Sequence, residues 1–248
     1  MTAPLRITIW NEGVHEVIQP EMLEYYPNGI HGALRDGLAE NLPADSVISS
    51  AQLTDPEHGL SQEKLDATDV LLWWGHIAHD RVDDAVVERV HQRVMGGMGL
   101  VVLHSGHFSK IFIRLMGTTC SLAWRSDEGG ERELVWNVNP SHPITAGIES
   151  PVLIDRQEMY GEYFDIPTPD DLVFISSFAG GEVFRSGVTF TRGKGRIFYF
   201  SPGDQDFPVY NHGTIRRILS NAVEWARPTA AENSVPSVTN PAREWFTK

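Results

Sequence analysis

Ten histidines are spread over the 248 residues, and several stand where they could hold a metal or move a proton. Trp74-Gly75-His76-Ile77-Ala78-His79 contains a His-x-x-His spacing. On a helix this sets two imidazoles on one face, as neutral nitrogen ligands for zinc or a similar divalent ion. With His107, Asp204 and His212 these two form the candidate metal set. Such an ion polarises a carbonyl or activates water, and a proton then has to move. Glu12, His104, Glu158 and Glu162 are the candidate acids and bases. Trp74, Ser105, Tyr160, Arg185 and Tyr210 are the candidate substrate contacts, and the stretch from Asp155 to Tyr163 mixes carboxylates with aromatic rings, as sugar-binding surfaces do. A plainer reading stands beside each: capping or surface histidines, an exposed hairpin edge, and an arginine that alternates with apolar neighbours and can face either way.

The elements that would gather these residues read as an α/β protein. Arg6 to Trp10, Ser46 to Leu53, Asp69 to Trp74 and Met98 to Leu103 are apolar runs of strand length, separated by amphipathic segments. Helices are predicted over Gly29–Leu42, over Asp80–Met95 with Asp80 as cap, and over Phe108–Met116. This alternation belongs to a mainly parallel sheet covered by helices. Beyond residue 117 the texture turns β-rich, with strands predicted at 120–125, 132–138, 172–178, 183–191 and 196–200 and a helix over Gly213–Trp225. No linker divides the chain, so residues 1–227 read as one domain and 228–248 as a C-terminal tail ordered by docking of Trp245 and Phe246. In an open parallel sheet, ligands bind outside the carboxyl ends of the strands. Glu12, His76, His79, His104, Ser105, His107, Asp204, Tyr210 and His212 all follow predicted strand ends.

Composition removes several partners. Thirty-three acidic residues against 20 basic ones give a formal net charge of −13, which repels nucleic acid and anionic membrane surfaces. One cysteine, Cys120, allows neither a disulfide framework nor a Cys-x-x-Cys zinc site, and suits a reducing, cytoplasmic setting. No apolar run approaches the ~20 residues of a membrane span. The expected partner is a small carbohydrate. Clustered tryptophans also suit a subunit interface, so a homo-oligomer is expected.

"LVVLHSGHF" runs a strand into a small-residue turn and a helix, the form of a nucleophile elbow. Together with "WNEGVHE", "VLLWWGHIAHDRV", "EMYGEYFDIPTPDDLVFIS" and "GGEVFRSGVTFTRGKGRIFYFSPGDQDFPVY", it resembles the ThuA family, named for trehalose utilisation, from about residue 5 to residue 226. The resemblance implies the class I glutamine amidotransferase-like fold, a flavodoxin-like three-layer sandwich, and a connection to sugar catabolism. The amidotransferases carry a cysteine at the elbow and His-Pro-Glu after a later strand. Here His104 stands at the thiol position and Ser201-Pro202-Gly203 at the other, which excludes glutaminase chemistry. Close ThuA members place histidine and glutamate after the Pro-Gly, where this chain has Asp204 and Gln205. Two functions remain: a metal-assisted enzyme acting on a disaccharide, glycoside or keto-sugar by hydrolysis, elimination or isomerisation, and a non-catalytic sugar-binding or accessory protein.

Overall fold

The most apolar runs form the strands with the deepest burial. Val70–Trp74 and Gly99–Leu103 are buried at every position, as strands covered on both faces must be. Alternate side chains serve opposite faces. Val70, Leu72 and Trp74 pack with Ile30, Leu34, Leu38 and Ile218, whereas Leu71 and Trp73 pack with Val86, Val90 and Phe112.

The computed structural model describes residues 4–126 and 129–228. Its strands are β1 (Arg6–Asn11), β2 (Val47–Gln52), β3 (Val70–Trp74), β4 (Gly99–Leu103), β5 (Ala123–Arg125), β6 (Glu131–Asn137), β7 (Val152–Gln157), β8 (Met159–Gly161), β9 (Asp171–Phe178), β10 (Val183–Arg192) and β11 (Gly195–Phe200). The α-helices are α1 (His15–Ile18), α2 (Gly29–Asn41), α3 (Gln62–Asp66), α4 (Asp84–Met95), α5 (Lys110–Met116) and α6 (Gly213–Ala226). Nine strands make one sheet in the order β2-β1-β3-β4-β11-β10-β9-β6-β7. The first five are parallel, and the rest join antiparallel. The protein is therefore mixed α/β, with α2 and α6 on one face of the parallel half and α4 and α5 on the other. A separate two-stranded ribbon pairs β5 with β8.

Several expectations are corrected. The His-x-x-His segment is not helical: His76 lies in a loop and His79 opens a single 3-10 turn, so the two rings do not share a helix face. Helix α4 begins at Asp84 with Asp83 at its cap, not at Asp80. Helix α5 begins at Lys110, where Ser109 accepts from the Phe112 N–H, because residues 104–108 are taken up by a 3-10 turn. Strands β7 and β8 were not expected, and the tail, apart from Pro228, lies outside the described residues. Among the described residues no helix is long and apolar enough to cross a membrane.

Candidate functional site

Parallel register brings the site together. Trp74 pairs with Leu103 and Leu103 with Phe200, so the segments that follow, Gly75-His76, His104-Ser105 and Ser201 onward, leave the sheet at one edge. Strand β11 comes late in the chain but inserts next to β4. That insertion sets Asp204 near His104.

His104 is the pivot. Its φ of 47° lies in the left-handed region, which costs a residue other than glycine about 1–3 kcal/mol and turns the chain sharply out of β4. The ring is fully buried, and Nδ1 donates to the Ser201 carbonyl at 2.8 Å. A carbonyl only accepts, so Nδ1 keeps its proton and Nε2 faces the remaining partners. These are Glu158 Oε2 and Asp204 Oδ2, each at 3.3 Å, and the Tyr160 hydroxyl at 3.3 Å. Burial alone would lower the His104 pKa, but the hydrogen bonds and charges of Asp204 and Glu158 outweigh it and push the pKa up to about 10. Burial would likewise raise Asp204, yet His104 and the Asp206 N–H hold its carboxyl below the usual range. The turn leading to Asp204 needs Gly203, since a Cβ there would lie 1.9 Å from the Tyr210 hydroxyl and φ is 143°.

His76 completes the group. His76, His104, Glu158 and Asp204 each present a ligand atom, all within 4.8 Å of one another. Burial, reinforced by His104 and His15, pushes the His76 pKa down to about 3, so its ring is neutral near pH 7. Its Nδ1 lies 3.0 Å from His15 Nε2, and His15 Nδ1 bonds the Gln19 side-chain oxygen. With Gln19 accepting, His15 accepts in turn from His76 Nδ1–H, which leaves the His76 Nε2 lone pair free. Two imidazole nitrogens and two carboxylates are a donor set for a divalent cation.

Beside this group lies a cavity of about 190 Å³, bordered by His76, Ser105, His107 and Glu158 and by the rings of Phe108, Trp124 and Tyr160. The Tyr160 ring stacks on His104 with centroids 4.8 Å apart, and its hydroxyl lies 2.9 Å from Ser105 Oγ. Burial keeps this phenol well above its ordinary pKa, so it remains a neutral hydrogen-bonding group. His107 donates Nδ1–H to the Cys120 carbonyl at 2.7 Å. Burial holds its pKa down to about 3, and its ring borders the cavity without joining the four-residue group.

The other candidates are placed elsewhere or engaged otherwise. Glu12 is buried and accepts from the N–H groups of His76, Ile77 and Ala78 at 2.8, 3.0 and 3.1 Å, which makes it the anchor of the loop that carries His76. Glu162 meets Arg185 in a two-pronged pair at 2.9 Å and also accepts from the Phe164 N–H. Burial would raise the Glu162 pKa, but these bonds hold it down, so the two side chains brace the hairpin and lie outside the cavity lining. His79 is half-buried with an unpartnered Nε2. His212 accepts from the Thr214 N–H as the cap of α6. Trp74 and Tyr210 are both core residues, Trp74 donating to the Gly203 carbonyl at 3.0 Å. The group that could hold a cation is thus His76, His104, Glu158 and Asp204, and His79, His107 and His212 lie outside it. Sequence reasoning passed over Trp124 and Phe108 at the cavity and the His15–Gln19 pair behind His76. For Trp124 the available signal was a lone aromatic in a short strand with no apolar partner pattern.

Residues 6–226 match a family model described as ThuA, trehalose utilisation. Among solved structures the chain is similar to a ThuA-like protein from Bacteroides uniformis ATCC 8492, with a TM-score of 0.62 and 16% identity over 91% of this chain and 93% of that one. A second ThuA-like protein, from Parabacteroides merdae ATCC 43184, gives 0.63 and 14% over 91% and 90%. A cytoplasmic protein from Salmonella typhimurium gives 0.56 and 12% over 91% and 100%. At these identities the likeness shows the fold. No curated protein matches the chain.

Proposed function

The chain belongs to the ThuA family, which gives it a carbohydrate-related role, and from that premise we propose that it is a metal-assisted enzyme acting on a disaccharide, glycoside or keto-sugar. Hydrolysis, elimination or isomerisation all fall within this chemistry. The observation that carries the reading is the His76, His104, Glu158 and Asp204 group beside a cavity. A divalent ion bound there would supply Lewis-acid stabilisation of a carbonyl or hydroxyl oxygen. His76 offers a neutral nitrogen, His104 offers one once its Nε2 proton has left, and the two carboxylates balance charge. Glu158 also borders the cavity, where it is placed to take a proton from a carbon next to a carbonyl or from water. The Tyr160 hydroxyl and Ser105 Oγ orient substrate hydroxyls.

Glutaminase activity is excluded from the proposal, because His104 occupies the elbow and the Cys120 thiol is buried, with its pKa pushed up to about 11 by that burial. The same reading takes residues 1–227 as one flavodoxin-like domain, cytoplasmic and homo-oligomeric, with neither nucleic acid nor membrane as a partner.

A second reading, a non-catalytic sugar-binding protein, is favoured by one observation: protonated His104 can satisfy both carboxylates without an ion. Chelation separates the two. Purified protein should turn over keto-sugars made by ring oxidation of a disaccharide, and chelation should abolish that turnover. Full turnover by metal-free protein would contradict the enzyme proposal. A sugar that raises the melting temperature without turnover in any divalent metal would establish the second reading.

A further inference from the structure

We propose that the Trp124 indole is the platform for a second sugar ring, so that the cavity takes the terminal unit of a glycoside and the next unit rests at the mouth. The inference rests on the carbohydrate reading above, but not on a bound metal.

Size is the first ground. A volume of about 190 Å³ falls below the ~300–1,000 Å³ of pockets that bury drug-sized ligands, so it suits a single ring with the next one at its mouth. Burial is the second. Ser105, His107 and Tyr160 are buried and supply the inner wall, whereas Phe108 and Trp124 are 38% and 61% exposed. A single exposed aromatic is ordinary, but two bordering one cavity whose other wall is polar mark a ligand site.

Aim is the third ground. In the β5–β8 ribbon Trp124 pairs directly with Tyr160, and directly opposed residues project from the same face. The indole therefore stands beside the ring that stacks on His104. Arg125, next in the chain, pairs with Glu131 and Glu182, each at 2.6 Å, and these contacts tie the short strand to its neighbours. An indole presents a flat apolar face at the water boundary. The C–H face of a pyranose can cover it while the hydroxyls stay solvated.

Calorimetric titration of the full chain with glucose, trehalose and maltose tests this, with wild type beside Trp124→Ala and Trp124→Phe. The wild type should bind the two-ring sugars about tenfold more tightly than glucose, in line with the worth of an aromatic face. Trp124→Ala should cost trehalose and maltose several-fold more affinity than it costs glucose, and Trp124→Phe should recover part of that difference. Because the side chain is mostly exposed, the melting temperatures should agree. A two-ring advantage that survives undiminished in Trp124→Ala, or an equal loss for glucose and trehalose, would overturn the inference. A wild type that binds none of the three sugars yet turns over keto-sugars would overturn the inference, and one that neither binds them nor turns over keto-sugars would overturn the carbohydrate reading itself.

Discussion

Metal uptake at the four-residue group has to displace a proton. In the metal-free protein the two carboxylates hold His104 protonated, with its pKa pushed up to about 10, and a ligand nitrogen must be deprotonated. The gap from pH 7 to that pKa is about 3 units, each worth ~1.36 kcal/mol, so about 4 kcal/mol of binding free energy is consumed in removing the proton at pH 7. His76 is already neutral there, being pushed down to about 3, and releases nothing. The apparent Kd for Zn²⁺ or Mn²⁺ should therefore fall about tenfold per pH unit between pH 7 and 9 and flatten near pH 10. Titration calorimetry in buffers of different ionisation enthalpy counts the protons directly. About one proton should leave per metal bound at pH 7. A Kd that is flat from pH 7 to 9, with no proton released, would refute the placement of a protonated His104 among the ligands.

Three further outcomes are expected. Glu12→Ala leaves three backbone N–H groups without their acceptor, at about 1–3 kcal/mol each; urea unfolding should show a loss of about 3 kcal/mol or more, and a loss below about 1 would contradict its anchoring role. His15→Ala should weaken metal binding by about 10–100-fold, the usual effect of removing an outer partner of a ligand histidine, while unchanged affinity would show that His76 does not depend on it. The metal-free fold should also lose stability as pH rises. Native His104 binds its proton more tightly than the unfolded chain does, with a pKa of about 10 against 6.5, so its stabilisation is full below pH 6.5 and disappears progressively up to about pH 10. Urea midpoints that stay level across that window would count against the two-carboxylate clamp.

Local pattern and nonlocal pairing divide what could be read beforehand. The parallel strands were legible because double burial leaves near-continuous apolar runs, as at Val70–Trp74 and Gly99–Leu103. Strands β7 and β8 were not, because alternation in Val152–Gln157 is broken by Asp155, Arg156 and Gln157. At the site, strand ends gather His76, His104 and Asp204 on one edge. The partners of each side chain were hidden. Nothing near Glu12 in sequence announces that residues 76–78 will saturate its carboxylate, and nothing near Glu162 announces Arg185. The His-x-x-His spacing carried metal meaning only on a helix, and Gly75 with the Glu12 anchor makes that segment a loop. Trp124 becomes visible only when β5 meets β8, where its partner Tyr160 lies 36 residues further along the chain.

The central claim is that His76, His104, Glu158 and Asp204 hold a divalent cation. Elemental analysis of protein purified without chelator tests it most directly, with wild type beside His104→Gln and Glu158→Gln. The wild type should carry close to one divalent metal per chain, or take up about one from Zn²⁺ or Mn²⁺ at pH 8, and both variants should lose it. A wild type that stays metal-free after that incubation, or a variant that keeps the wild-type metal content, would contradict the account.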